Sequence, residues 1–415
     1  MSDVEVHIEL DGQTHRVGLL RRNVSRRAET VTFEYDQTWL DHPHRFPIDP
    51  SLPLTRGTFP PPQNMETPPV INDSAPDTWG RRLLRRTERR QAEKEKRTVR
   101  TLTEMDFILG VSDRSRMGAL RFREVGEDYF QSQSTVSVPA RLGLRRLLEI
   151  TERVQRDEET EEDLQNILAP GFSLGGARPK ATVFDQYGNM SIAKFPKESD
   201  TYSIERWEAI ALRLAAQSGI ETPNHELVSV AGKPVLLSRR FDRNGDRRIP
   251  YMSAMAMTGS QDGQGGSYPE IVDVMSSYAG HAKSEAEKLY RRMVFNILVS
   301  NVDDHLRNHG FLRTDPSGWR LSPAFDLNPV PTDEKARVLS TNIDLDDSTC
   351  SIELAESVAG YFGLRKKQAR EVIKQVAQAT SQWRTVASAA GAKASEIDRM
   401  ASAFEHNDLS RALAI

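Results

Sequence analysis

A single cysteine, Cys350, is all the thiol this chain carries. One thiol cannot close an internal disulfide, and no Cys/His cluster has the spacing of a zinc site. A reducing, cytoplasmic setting fits that scarcity. Long apolar runs are also missing. No stretch approaches the ~18 consecutive apolar residues that a membrane helix needs, so none is expected to span a bilayer. The N-terminus, MSDVEVHIEL, is acidic and strand-like, without a basic region followed by an apolar run, so no signal peptide is expected. Charge of one sign is lacking too: 56 Lys and Arg stand against 59 Asp and Glu, a formal net charge of −3. Such a balance makes no global field for nucleic acid or an anionic membrane, and any such contact has to come from a local patch. What the chain does have is length, 415 residues, and an apolar fraction of 38%, enough for a sizeable core in two or three domains.

The pattern along the chain is β-rich first and helical last. Val4, Val6, Ile8 and Leu10 alternate, Asp11-Gly12 turns the chain, and Val31, Phe33 and Tyr35 alternate again. The proline-rich residues 41–77 read as ordered turn and loop. Asp77 opens a helix through Trp79, Leu83 and Leu84 into a strongly charged stretch. Residues 101–170 read as mostly helical, with an extended piece near Ala119 to Arg123. A β-hairpin follows: Ala181 to Phe184, a turn, then Met190 to Phe195. Helical spacing marks 203–218, strands follow at 226–230 and 234–238, 284–300 reads as a long apolar-faced helix, and 365–412 are again helical. The Gly/Ser/Gln-rich residues 258–267 read as a mobile connection. These features predict an α+β, two-lobed chain with three regions: a β-rich N-terminal subdomain over 1–100, a lobe over 101–245, and a helical lobe over 246–415.

Four elements carry chemistry, in chain order. Gly175-Gly176-Ala177-Arg178-Pro179-Lys180 precedes a strand, and glycines there let backbone N–H groups approach phosphate oxygens; an ordinary turn is the alternative. Lys194 sits in the second hairpin strand among Ile192, Ala193 and Phe195. It either snorkels at a sheet edge or meets an anion, with Glu205 or Glu208 of the next helix as partners. Asp303 to Asn308 follows an apolar helix with the D-x-x-x-x-N spacing of a kinase catalytic loop, where the carboxylate takes the hydroxyl proton and the amide oxygen holds a metal ion. A polar loop capping the helix, with Asp304 and His305 at the surface, is the alternative. Last, Asp326 lies among apolar residues, where a carboxylate needs a partner: Mg²⁺ bridging ATP phosphates, or a helix N-terminus that it caps. A separate run, Arg81, Arg82, Arg85, Arg86, Arg89 and Arg90, could form a DNA-binding stripe, but Glu88, Glu93 and Glu95 interrupt it and favour a solvated helix.

Taken together, these residues resemble the HipA-like serine/threonine kinases. The resemblance rests on Ser173-Leu174-Gly175-Gly176-Ala177-Arg178-Pro179-Lys180, Arg240-Phe241-Asp242-Arg243, Asp303 to Asn308 and Pro323 to Asp326, with Phe33-Glu34-Tyr35, Trp39-Leu40 and Ser51 to Leu54 in the N-terminal part. It implies a protein-kinase-like fold and ATP bound by Gly175 to Lys180, Lys194, the hinge Arg239, Arg240 and Phe241, His305, Leu306, Arg307, Asn308, Phe325 and Asp326. It implies Asp303 as catalytic base, Mg²⁺ on Asn308 and Asp326, and autophosphorylation at Ser173, where phosphate charge beside the Gly loop switches the kinase off. It also implies the toxin of a type II toxin–antitoxin pair, restrained by a HipB-like helix-turn-helix antitoxin and reaching DNA only through it. The substrate would be a protein, and family members often target aminoacyl-tRNA synthetases. A HipA-like kinase or nucleotide-binding regulator without toxicity is the alternative. The chain departs from the family pattern at Arg239, where glutamate is common, at Tyr251 to Met255, and at Arg307, which replaces a lysine.

Overall fold

The computed structural model describes residues 3–24, 29–130, 143–168, 176–261 and 263–415. The chain divides into two compact units, Met1–Ser199 with Val228–Met252, and Asp200–Leu227 with Ser253–Ile415. Among the described residues no helix is long and apolar enough to cross a membrane.

The first unit opens on an antiparallel five-stranded sheet in the order Thr58–Phe59, Glu29–Tyr35, Gln13–Val24, Val4–Leu10 and Leu120–Glu124. Asp11 (φ 51°) and Gly12 (φ 79°) both take the left-handed conformation that a two-residue hairpin demands, so the Asp-Gly pair sets the first register. Alternation then places Val4, Val6, Ile8, Val31 and Phe33 in the core. The short strand and the helix Pro69–Asp73 are the regular pieces inside the proline-rich 41–77.

The charged helix is Thr78–Lys94, capped by Asp77, which accepts from Gly80 N at 2.8 Å. It is a strut, and much of its charge is spent on internal pairs. Arg81 grips Glu104 through both Nη atoms at 2.5 and 2.6 Å, Arg86 bonds Glu159 at 2.6 Å, and Arg81 and Arg85 lie over the Phe107 ring. Glu88 is buried and holds Arg97. The expected solvated face is therefore only part of this helix; Arg82 and Arg89 remain exposed.

A second sheet has the order Lys180–Phe184, Met190–Lys194, Lys233–Arg239 and His225–Val230. One face packs Ala181, Val183, Ala193, Phe195, Val235 and Leu237 against Leu144, Leu147 and Leu148 of the helix Leu144–Gln155. Period two sends Lys180, Thr182, Ile192 and Lys194 to the opposite face. Beyond the sheet, the fully buried Asp242 accepts from Gly118 N at 2.7 Å, Arg240 Nε at 2.8 Å and Arg243 Nη1 at 2.6 Å. Burial alone would raise its pKa, but Arg240 and Arg243 hold it down at about 2. This ties the segment after the second sheet to the chain that leads into Leu120–Glu124.

In the second unit the helix Ala282–Leu298 is the core element, with Leu289, Met293, Val294, Phe295, Ile297 and Leu298 fully buried. The hairpin Gly310–Asp315 and Gly318–Leu321 follows it, and Tyr268–Tyr278 packs beside it. The C-terminal helices Lys366–Thr380, Trp383–Ala389, Ala394–Phe404 and Asn407–Ala414 close the unit, Trp383 stacking on Phe404 with ring centres 4.7 Å apart.

Replacing Asp242 with Ala leaves two or more buried guanidinium groups without their anion. Breaking a buried pair from one side costs about 3–5 kcal/mol, so chemical unfolding of Asp242→Ala should show a loss of that order. A loss under ~1 kcal/mol would mean that the network carries no such charge balance.

Candidate active site

Each unit carries part of the expected machinery. In the first, Ser173 and Gly175 lie outside the described residues, as does Leu174. Gly176 adopts φ +90°, a conformation open to glycine, and a Cβ there would stand 3.4 Å from Lys180 Nζ. Ala177 is exposed and Arg178 half-buried, while Pro179 is buried and its carbonyl accepts from Phe195 N at 2.9 Å. Lys180 thus begins the strand and points its ammonium back under the loop, paired with Asp77 at 3.0 Å.

Lys194 lies directly opposite Lys180 in the register. Its strand is interior, flanked by Lys180–Phe184 and Lys233–Arg239, so the edge-snorkelling alternative does not apply. Like charges across a strand pair repel unless an anion answers them. Arg239 and Phe241 are half-exposed. Arg240 is different: its guanidinium turns inward to Asp242 and to the carbonyls of Ser115 and Arg116, and its backbone N–H donates to Met190 O at 2.9 Å. Glu205 and Glu208, the expected lysine partners, are buried on Ile204–Gln217 in the second unit.

In the second unit the helix Ala282–Leu298 ends by a left-handed residue, Ser300 (φ 53°), with Asn301 N bonded back to Asn296 O at 2.9 Å. A position that usually takes glycine is held here by the serine hydroxyl, which donates to Ala403 O at 2.7 Å and accepts from Arg337 Nε at 3.0 Å. The chain then delivers two adjacent carboxylates in opposite senses. Asp303 is exposed, and its carboxylate makes no bond among the described residues. Asp304 is 1% exposed. Its carboxylate accepts from Tyr268 Oη and faces His309 Nε2 at 2.9 Å, and its carbonyl accepts from Thr341 at 2.6 Å. Burial would raise the Asp304 pKa, but His309 and the hydrogen bonds outweigh it and hold the group ionised. Burial and the Asp304 charge push the Tyr268 phenol well above its ordinary range, so it remains a donor. Asp304 at the surface, as the helix-capping alternative had it, is therefore corrected: it is the interior anchor of the loop.

Asn308 closes the turn. Its Nδ2 donates to Asp303 O at 3.1 Å, which fixes the amide's orientation and leaves Oδ1 buried and, among the described residues, without a hydrogen-bond partner. Leaving an acceptor so costs about 1–3 kcal/mol unless something else fills its lone pairs. Leu306 is buried against Gly266, where a Cβ would come within 2.6 Å of the leucine, so the end of the expected mobile connection is a packed contact. His305 and Arg307 are half-buried. Asp326 follows half-buried Phe325 in a segment with no regular structure, so it caps no helix. It takes φ +57°, a strained value for aspartate that clusters at functional sites.

Among the described residues no group of three or more His, Cys, Asp or Glu could hold a metal ion on its own. Mg²⁺ carried by a nucleotide asks for less: one or two side-chain oxygens, with phosphate and water completing the octahedron. An orphaned amide oxygen at Asn308 and a carboxylate at Asp326 suit that demand. Sequence reasoning missed Tyr268, Asn296 and His309 and gave Asn301, which opens the loop, no role; nothing in their local pattern separates them from ordinary core polar residues.

Fold and loops define a kinase-like α+β class. Residues 172–383 match the model of the HipA-like C-terminal domain and residues 8–123 that of the HipA N-terminal domain, and the chain belongs to the HipA-like kinase family. A Haemophilus influenzae protein named provisionally as a kinase is 26% identical over 188 residues, 39% of this chain and 54% of that protein. The serine/threonine-protein kinase toxin HipA of Shewanella oneidensis is 25% identical over 190 residues, 39% of this chain and 44% of that protein. The chain thus spans about half the length of these curated relatives. A solved structure of Shewanella oneidensis HipA with HipB and its operator DNA shares the fold at TM-score 0.65 and 18% identity, covering 99% of this chain and 96% of that one.

The end of the helix Ala282–Leu298 gives a pH test. His406 lies 3.1 Å from Leu298 O through Nε2 and accepts from Leu409 N through Nδ1 at 3.3 Å, a neutral imidazole. Burial, then the Arg337 cation, brings its pKa down to about 4 from 6.5. The unfolded chain binds this proton first, so the stabilisation is complete above pH ~6.5 and disappears as pH falls towards ~4, about 3 kcal/mol in all. Wild-type stability should fall across that window more steeply than that of His406→Gln; equal slopes in urea unfolding would refute the assignment.

Proposed function

We propose that this protein is an ATP- and Mg²⁺-dependent serine/threonine protein kinase. The observation that carries the reading is the loop Asp303 to Asn308, where the residue with the exposed carboxylate is tied through its backbone carbonyl to an amide whose oxygen has no hydrogen-bond partner among the described residues. We assign Gly176 to Lys180 and Lys194 to the phosphates, Arg239 to Phe241 to the base, and Asp303, His305 to Asn308, Phe325 and Asp326 to the catalytic and metal-binding loops.

Asp303 orients the substrate hydroxyl and receives its proton as the oxygen bonds to the γ-phosphorus. The bond from that phosphorus to the bridging oxygen breaks, and ADP leaves. Lys194 balances phosphate charge, while Lys180, answered by Asp77, supports the loop over the phosphates. Bound Mg²⁺ would neutralise the phosphate oxygens, and Asn308 Oδ1 and Asp326 are the atoms suited to hold it. Ser173 is the proposed autophosphorylation site, since phosphate there repels the nucleotide the neighbouring loop is built to hold. By likeness to the HipA solved with HipB and operator DNA, we assign the chain to the toxin side of a toxin–antitoxin pair, with a HipB-like protein as its restraint and its route to DNA. The pairing of Arg81 and Arg86 within the first unit supports that indirect route.

Purified protein should incorporate phosphate from labelled ATP in the presence of Mg²⁺. Removing a positioned base lowers turnover by roughly 10²–10⁴-fold, so Asp303→Ala should fall by that factor. Equal labelling of wild type and variant would end the kinase reading. Asn308→Ala should instead raise the Mg²⁺ concentration needed for half-maximal rate, and an unchanged requirement would remove Asn308 from the metal. Toxicity separates the finer readings: overexpressed wild type should arrest growth and Asp326→Ala should not, whereas growth under both points to a kinase without toxin activity.

A further inference from the structure

A continuous run of hydrogen bonds, opened by one backbone N–H and carried on by side chains, joins the two acidic loops of the second unit. Asn328 N donates to Asn301 Oδ1 at 3.0 Å, Asn301 Nδ2 to Asn296 Oδ1 at 3.1 Å, and Asn296 Nδ2 to Tyr268 Oη at 3.0 Å. Tyr268 Oη donates to Asp304. At the far end Asn328 Nδ2 reaches Asp326 Oδ1 at 3.2 Å. Asn296, Asn301, Tyr268 and Asp304 are all at most 1% exposed.

The two ends settle the direction of every bond between them. A backbone N–H can only donate, and an ionised carboxylate can only accept. Between those ends neither amide can turn over without setting donor against donor and acceptor against acceptor. Each bond also polarises the next, which stiffens such a chain in a low-dielectric interior. A core built only for stability could fill these sites with apolar side chains of similar volume at little cost. What amides and a phenol add is a fixed distance and angle.

We infer that the chain Asn328–Asn301–Asn296–Tyr268–Asp304 sets the position of Asp326 relative to Asp303, and that Asn301 is a positioning residue for phosphoryl transfer. This rests on the kinase reading above. Asn301 touches no reacting atom. It acts because one amide grips the loop of Asp326 while its other end is pinned, through Asn296 and Tyr268, to the residue beside Asp303. The loops stay joined without it, since Val330 N donates to Ser300 O at 3.1 Å. Loss of the amide therefore relaxes their register without releasing them.

The experiment uses the full chain with Asn301→Ala, Tyr268→Phe and the double variant, read by steady-state kinetics, thermal unfolding and Mn²⁺ titration by electron paramagnetic resonance with a non-hydrolysable ATP analogue. A misplacement near 1 Å costs about 100-fold, so each single variant should lose roughly 10- to 100-fold in kcat while KM for ATP stays within about 3-fold. Both cut one chain, so the double should be about as slow as the slower single. Mn²⁺ should bind roughly 10-fold more weakly to Asn301→Ala. Variants that unfold earlier yet keep kcat and Mn²⁺ affinity would overturn the inference, as would a double whose loss is the product of the singles. Should Asn301→Ala fail to fold, Tyr268→Phe, which keeps the ring, decides by the same two readouts. If wild type transfers no phosphate the kinase reading fails, and the Mn²⁺ titration alone then judges the linkage: equal affinity in wild type and variants refutes it.

Discussion

The buried carboxylate of Asp304 is the constraint on which the second unit's chemistry depends. A charge in the interior is tolerated only where donors converge on it. Tyr268 donates to Asp304 and His309 Nε2 stands 2.9 Å away, while Arg292, buried nearby and brought down to about 10 by desolvation, adds positive charge. Because Asp304 is held, its neighbour Asp303 projects outward, and Asn308 closes the turn on the Asp303 carbonyl. One inward carboxylate thereby presents one outward carboxylate.

The first unit solves a related problem with the signs reversed. Asp242 gathers Arg240 and Arg243, and Arg240 extends to carbonyls at Ser115 and Arg116. The expenditure of so much buried charge makes sense as geometry: guanidinium groups bond in a fixed plane, so they set the angle at which the second sheet's exit strand meets the residues before Leu120–Glu124. The charged helix Thr78–Lys94 serves the same purpose through Glu104 and Glu159, and its first residue's cap, Asp77, also answers Lys180. A single carboxylate thus ends a helix and neutralises one of two opposed lysines.

Much of this was readable in the linear chain. Alternation at Val4 to Leu10 and at Val31 to Tyr35, the Asp-Gly turn, the hairpin carrying Lys194 and the helix before Asp303 all depend on residues close in sequence, and each formed as local patterning requires. Side-chain direction was less readable. Arg240 looked like a ligand-facing hinge residue, and its guanidinium is turned inward because Asp242 lies two positions on, in the interior. A surface position for Asp304 stayed open as an alternative because nothing local distinguishes it from Asp303; the approach of Tyr268, from another helix, separates them.

The sequence by itself determined the elements, the family and the order of the chemical groups, since these follow from periodicity, turn chemistry and spacing within a few residues. Tertiary structure alone decided which of two neighbouring aspartates faces solvent, which lysine has Asp77 beside it, and how Asn301 bridges the loops of Asp303 and Asp326. The reason is physical. A buried polar group is defined by its partners, and those come from segments far apart along the chain, so their identity exists only once the chain has folded.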